Sequence, residues 1–402
     1  MSPSNTSTRI RRPLFGVIAS ALLASTLQPA DALAQSYSFD SGNDQGWTRY
    51  EPLKPFGIGA IFSFPNGAYR IQMNPTPNPA TFGPARAGSF FPAKTFERVQ
   101  VETDVFGWDD SQVQSFGVVA RADNLGPGTT TGYTFNYNPR SGFHQITLVT
   151  DELPVAQVNE SLFRLRATDR YRMVLTAAGT NFVGHVFAST NLTVPIHSVA
   201  GRDSTHVSGR TGLFAFGIEA ESRLDARFDN FAVSVPGRLR AAFLDAAPAS
   251  GEVFTEPAAS VVVRLAHLET LVQIASIRLE IDGASAPFDV VDLDPILILT
   301  HTPNSPLDPS KPHTGTIRFT DEDGERTVSW SFGAPVSGPT LLVATGLDGP
   351  FAADTTATLD AATGTFTLPI PNGTRFYRLS GPGSPVISSV DRTGNVFRLG
   401  FR

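Results

Sequence analysis

The chain has 402 residues, a formal net charge of −6 and no cysteine. The missing thiol excludes disulfides, thiolate metal centres and thiol nucleophiles. Mild acidity with only three lysines gives no basic surface to neutralise phosphates, which argues against a nucleic-acid partner. Thirty phenylalanines against three methionines, with 35 glycines and 31 prolines, describe short strands and turns.

Residues 1–34 read as a secretory signal peptide. Arg9, Arg11 and Arg12 form the charged start, Phe15 to Leu27 the apolar centre, and Ala32-Leu33-Ala34 a cleavage site before Gln35. That apolar run is too short to span roughly 30 Å of hydrocarbon. No later segment is long and apolar enough either, so no membrane span is expected after signal cleavage. Removing three arginines and Asp31 takes the net charge from −6 to −8. The product is expected in the periplasm, on the cell surface or outside a bacterial cell.

Alternation of period two then dominates. In Arg98 to Phe106, Val99, Val101, Thr103 and Val105 share one face, while Gln100, Glu102, Asp104 and Phe106 share the other. Phe163 to Leu175, Phe182 to Phe187 and Ala226 to Val233 behave similarly, and such strands recur up to Val235. The spacing predicts one large β-sandwich over 35–236. Beyond Pro236-Gly237, short runs at Ser260–Leu265, Ser276–Ile281, Ile296–His301, Gly315–Thr320 and Thr327–Phe332 predict a smaller sandwich over 237–335. Asp323-Gly324 is its strongest hairpin signal. After the break at 333–338, a small β module is expected over 336–402, its last pair of strands turned by Thr393-Gly394-Asn395.

Tyr37-Ser38-Phe39-Asp40, Gly46-Trp47, Gly132-Tyr133 and Arg227-Phe228-Asp229-Asn230-Phe231 resemble the laminin G/concanavalin A-like jelly roll. Ser276-Ile277-Arg278-Leu279 with Asp282-Gly283, and Trp330-Ser331-Phe332, are similar to bacterial immunoglobulin-like modules of secreted multidomain proteins. Gly349-Pro350 with Arg375-Phe376-Tyr377-Arg378-Leu379 is similar to small C-terminal β modules found beside them. The resemblance implies an all-β chain: a jelly roll, an immunoglobulin-like sandwich and a small β module. It also implies non-catalytic recognition of extracellular polysaccharide or cell-surface glycan. Glu102, Asp104, Trp108, Arg121 and Tyr133 are the candidate ligand-binding residues, a polar and aromatic set suited to a half-wet site. Tyr137 and Phe143 belong to the same neighbourhood, with core packing as their simpler reading.

Two alternatives stay open. Laminarinase-like enzymes carry Glu-x-Asp-x-x-Glu on one strand, and Glu102 and Asp104 match its first two positions. A glycoside hydrolase needs a second suitably spaced carboxyl, yet the positions for the acid hold Phe106 and Gly107, while Asp109 and Asp110 fall later. The other alternative is a structural module of the envelope or matrix. No cofactor is expected. A calcium ion would need six to eight oxygens, of which Asp40 and Asp229 supply two if the first and last strands of the jelly roll meet. The histidines show no zinc-binding spacing.

Overall fold

A computed structural model describes residues 35–334 except Ala93. In the remainder it describes 340–344, 351–354, 356–360, 365–369, 373–380, 386–393 and 396–401. The signal peptide, the 335–338 part of the break after Gly333, Gly349-Pro350 and Gly394-Asn395 lie outside the described residues. Among the described residues, no helix is long and apolar enough to cross a membrane.

The first fifteen strands lie between Gln35 and Ser234. They are β1 (Gln35–Tyr37), β2 (Thr48–Tyr50), β3 (Ile61–Ser63), β4 (Tyr69–Met73), β5 (Arg86–Phe90), β6 (Val99–Phe106), β7 (Gln114–Asp123) and β8 (Thr131–Tyr137). Next come β9 (Phe143–Thr150), β10 (Leu153–Leu162), β11 (Arg170–Ala178), β12 (Asn181–Ala188), β13 (His197–Arg202), β14 (Arg210–Gly217) and β15 (Leu224–Ser234). Sheet I runs β13-β12-β11-β6-β15-β4-β3, with β1 also paired to β15. Sheet II runs β10-β9-β8-β7-β14-β5-β2. Consecutive strands β4 and β5, β6 and β7, and β14 and β15 therefore cross from one sheet to the other at matching positions. That double-layered crossing makes this a jelly-roll sandwich.

Alternation fills the space between the sheets. In β6, Val99, Val101, Thr103 and Val105 are buried, as their spacing predicts. Phe116, Val118 and Ala120 of β7, Tyr133, Phe135 and Tyr137 of β8, and Leu213 and Ala215 of β14 join them. The aromatic residues of the first and last strands close one end. Trp47 meets Phe231 edge-on at 4.5 Å between ring centroids, and Phe39 stacks on Tyr69 at 5.0 Å. Such pairs add to the burial of large rings, each worth about 1 kcal/mol beyond its area.

Two four-stranded sheets follow. β16 (Ala242–Ala247), β17 (Val261–Ala266), β20 (Asp289–Leu293) and β21 (Ile296–His301) form one, in the order β16-β17-β21-β20. β18 (Arg278–Ile281), β19 (Ala284–Ser285), β22 (Pro312–Asp321) and β23 (Gly324–Gly333) form the other, in the order β19-β18-β22-β23. Val261, Val263, Leu265, Leu297, Leu299, Ile317, Phe319 and Trp330 are buried between them. The β22–β23 hairpin pairs Asp321 with Gly324, so Glu322 and Asp323 are the two turn residues. This corrects the expected Asp323-Gly324 turn by one position; Gly324, at φ 114°, opens the next strand instead. In the C-terminal part, β24 (Thr340–Ala344), β25 (Ala352–Ala353) and β28 (Phe376–Ser380) share one sheet. β26 (Thr358–Asp360), β27 (Thr365–Pro369), β29 (Ile387–Thr393) and β30 (Val396–Phe401) share another. Leu341, Phe366, Leu368 and Leu399 are their common core.

The second sandwich packs on the outward face of sheet I. Val183 and Ala200 bury against Leu244, Ala266 and Leu268. Asp245 accepts the Ser198 backbone N–H at 2.8 Å and the Arg264 Nε–H at 2.7 Å, while Arg264 Nη2 donates to the Ser198 carbonyl at 2.9 Å. Arg98 grips Glu269 with both ends of its fork at 2.7 Å, which holds that carboxyl down at about 2.

Candidate functional site

The outward face of sheet II is hollowed into a cleft of about 530 Å³, within the roughly 300–1,000 Å³ typical of small-molecule sites. Its floor follows from strand register. Gly88, Phe214, Gly117, Asn136 and Gln145 are successive cross-strand partners on β5, β14, β7, β8 and β9. Glycine empties two of those places. A Cβ at Gly117 would fall 2.0 Å from the Phe135 carbonyl oxygen, and one at Gly88 would fall 2.7 Å from that of Leu213. Close strand approach therefore demands glycine there, and the missing side chains leave Phe214 standing in a trough.

One side of the trough is apolar and the other polar. Phe216 and Phe214 project from β14, with Phe90 buried beside Phe214. Opposite them, Asn136 Nδ2 donates to Ser115 Oγ at 2.6 Å and to Gln145 Oε1 at 3.2 Å, and Thr134 donates to Asn136 Oδ1 at 3.1 Å. The two-residue turn between β9 and β10 carries Glu152 to the cleft. There Arg86 Nη2 donates to Oε2 at 2.8 Å, the Gly128 N–H donates to the same oxygen at 2.6 Å, and the Tyr50 hydroxyl donates to Oε1. Burial raises the Glu152 pKa, but the hydrogen bonds from Arg86, Tyr50 and Gly128 outweigh it and hold the carboxyl below its ordinary value. Burial and the neighbouring carboxylate raise the Tyr50 hydroxyl. Arg86 Nε is buried without a hydrogen-bond partner.

The structure does not bring the five sequence-derived candidates together. Glu102 and Asp104 project from the outward face of sheet I, away from the cleft. Arg172 binds both, reaching Glu102 at 2.9 Å, and Arg170 and Asn230 approach Asp104 at 3.3 and 2.7 Å. Trp108 is buried against Phe116 and Tyr137, its Nε1–H given to Asp110 at 2.7 Å. Arg121 is 1% exposed; it donates to the carbonyls of Glu97 and His206 and lies over Phe182. Tyr133 is fully buried with its hydroxyl on Asp203, and burial first, then that bond, raises its pKa to about 12. Tyr137 is core, and Phe143 is half-buried. β1 does pair with β15, but Asp229 is engaged by Arg170 at 2.8 Å. Among the described residues, no group of three or more histidines and carboxylates is placed to hold a metal.

Tyr133 borders the cleft from its buried position; the other cleft residues escaped sequence reasoning because alternation assigns a side chain to a face without saying which sheet is hollow. The available signal was the set of glycines on strands otherwise rich in β-branched and aromatic residues.

No family model matches the chain, and no curated protein does. Among solved structures, the chain is similar to a carbohydrate-binding module, CBM66, from Bacillus subtilis, with 13% identity, a TM-score of 0.35 and coverage of 47% of this chain and 95% of that one. A prokaryotic beta-1,3-1,4-glucanase (lichenase) from a mouse hindgut metagenome has 12% identity and a TM-score of 0.36, covering 51% and 99%. The lectin UEA-II complexed with galactose has 11% identity and a TM-score of 0.34, covering 51% and 99%. Scores this low carry no argument about ligand or activity, so the cleft's own chemistry has to decide.

Proposed function

We propose that this chain is a non-catalytic glycan-binding protein that holds a sugar in the sheet II cleft. The observation that carries this reading is the juxtaposition of Phe214 and Phe216 with the Ser115–Asn136–Gln145 row in one cleft. A pyranose ring has an apolar C–H face and an equatorial rim of hydroxyls. It therefore suits a site with aromatic rings on one side and amides and hydroxyls on the other. Among the described residues lining the cleft, Glu152 is the one carboxylate, and three protein donors engage it. Hydrolysis of a glycosidic bond ordinarily uses two carboxyl groups roughly 5–10 Å apart, so this constellation supports binding. In this reading residues 1–34 direct export, 35–236 recognise the glycan, and 237–335 and 336–402 carry or space that module. The ligand is extracellular polysaccharide or a cell-surface glycan.

Affinity electrophoresis of the purified chain against a panel of soluble polysaccharides tests this directly. Retardation by at least one is expected. Phe214→Ala and Asn136→Ala should each weaken it about tenfold, the loss of one stacking face or one buried hydrogen-bonding group. Glu102→Gln, on the other sheet, should leave it unchanged. Failure of every glycan to retard the protein, or undiminished retardation of Phe214→Ala, sinks the proposal.

A further inference from the structure

We propose that the cavity at the junction of the two sandwiches is a binding site for a small oxyanion, a phosphate or sulfate group. The cavity measures about 380 Å³, and three parts of the chain wall it. Gln100, Thr176 and His185 come from sheet I, Arg238 and Arg240 from the connecting segment, and Arg326 from β23. Three arginines thus line one space, and no carboxylate is among its described lining residues.

Two of those charges are balanced from behind. Arg238 donates to Asp323 at 3.0 Å and Arg240 to Asp321 at 2.6 Å. Arg326 differs: it donates to the Ala241 carbonyl at 2.7 Å, and no carboxylate among the described residues lies within ion-pair distance. Burial first, then the charge of Arg240, lowers its pKa, and the charge of Asp321 offsets this only in part. A bound oxyanion would supply the rest, because a guanidinium fork presents parallel N–H groups matched to phosphate or sulfate oxygens. His185 adds no charge. Its Nδ1 is paired with Ser198 Oγ at 2.7 Å, and burial lowers its pKa to about 4. The Gln100 amide and Thr176 hydroxyl stand beside it as neutral polar partners. An anion held there would join sheet I, the connecting segment and β23 at one point.

Arg238 and Arg240 are also trypsin sites, which gives a readout besides affinity. The purified chain would be titrated calorimetrically with inorganic phosphate, and separately sulfate, at constant ionic strength against chloride. Tryptic cleavage after Arg238 and Arg240 would be followed in the same buffers. Saturable binding is expected, with slower cleavage in phosphate or sulfate than in chloride. Arg326→Gln should weaken binding about tenfold or more and abolish the protection, with an unchanged circular dichroism spectrum. Arg238→Gln carries the same affinity prediction should Arg326→Gln fail to fold. Arg278→Gln, remote on β18, should behave as the parent. Binding that does not saturate, or equal affinity in the parent, Arg326→Gln and Arg238→Gln, overturns the assignment.

Discussion

Asp151 and Glu152 occupy the two-residue turn of the β9–β10 hairpin at φ 53° and 63°. Glycine or asparagine usually takes these left-handed positions, because a Cβ there costs about 1 kcal/mol per residue. Glu152 repays its share through Arg86, Tyr50 and Gly128, whereas the carboxylate of Asp151 makes no comparable contact among those described. Asp151→Gly should therefore stabilise the fold by about 1 kcal/mol. Glu152→Ala should cost about 2–3 kcal/mol, since it removes the carboxylate partner of the largely buried Arg86 guanidinium and leaves the Tyr50 hydroxyl with Thr130 alone. Urea denaturation of the two variants checks both signs. The same scale shows why the residues picked from sequence proved hard to place. Trp108 beside two aspartates reads as exposed in one dimension, yet its indole N–H reaches back to Asp110 while the ring enters the core. Arg121 looks like a surface anchor until the left-handed backbone, φ 52°, turns it inward to two carbonyls.

Strands were the most legible element. The alternation over Arg98 to Phe106 gave the right inward set because β6 has a core on one side only. Ile296–His301 coincides with β21, and the runs near 260, 315 and 327 lie within one to three residues of β17, β22 and β23. The short edge strands β19 and β20 gave little signal, since their side chains are mostly exposed and follow no buried face. The cleft on sheet II was not legible either. It depends on strand order, and on positions such as Gly117 where two backbones nearly touch. Gly117→Val should force β7 and β8 apart, costing about 2–3 kcal/mol by the usual penalty of overpacking and eliminating glycan retention. Thermal melts and affinity electrophoresis of that variant measure the two effects. Full stability in Gly117→Val would show that the trough tolerates filling.

Acid sensitivity belongs to the whole molecule, because its determinants gather where the layers and the two sandwiches meet. His144 is fully buried between the sheets, its ring 4.9 Å from that of His197, and burial and that neighbour hold its pKa well below the ordinary value. Burial and the Arg264 charge lower His197 to about 3, with Asp245 already taken by Arg264, and burial lowers His185 to about 4. All three are neutral when folded but take up protons when unfolded below about pH 6.5. Their contribution is complete above that pH and is lost as the pH falls toward the folded values, by about 1 kcal/mol per histidine per unit. The melting temperature should drop steeply between about pH 6.5 and 4.5. His197→Asn with His144→Gln should flatten the profile if both variants fold, and a parent profile already flat in that range would contradict the burial of these rings.

The second sandwich takes hold of one broad side of the jelly roll, and the described residues lining the cleft on the opposite side all belong to the jelly roll. A glycan held in that cleft, as proposed, would touch the jelly roll and not the second sandwich. Grip and attachment would then be mechanically separate: tension along a captured strand would load the sheet that holds it, and the neighbouring sandwich would serve as the mount.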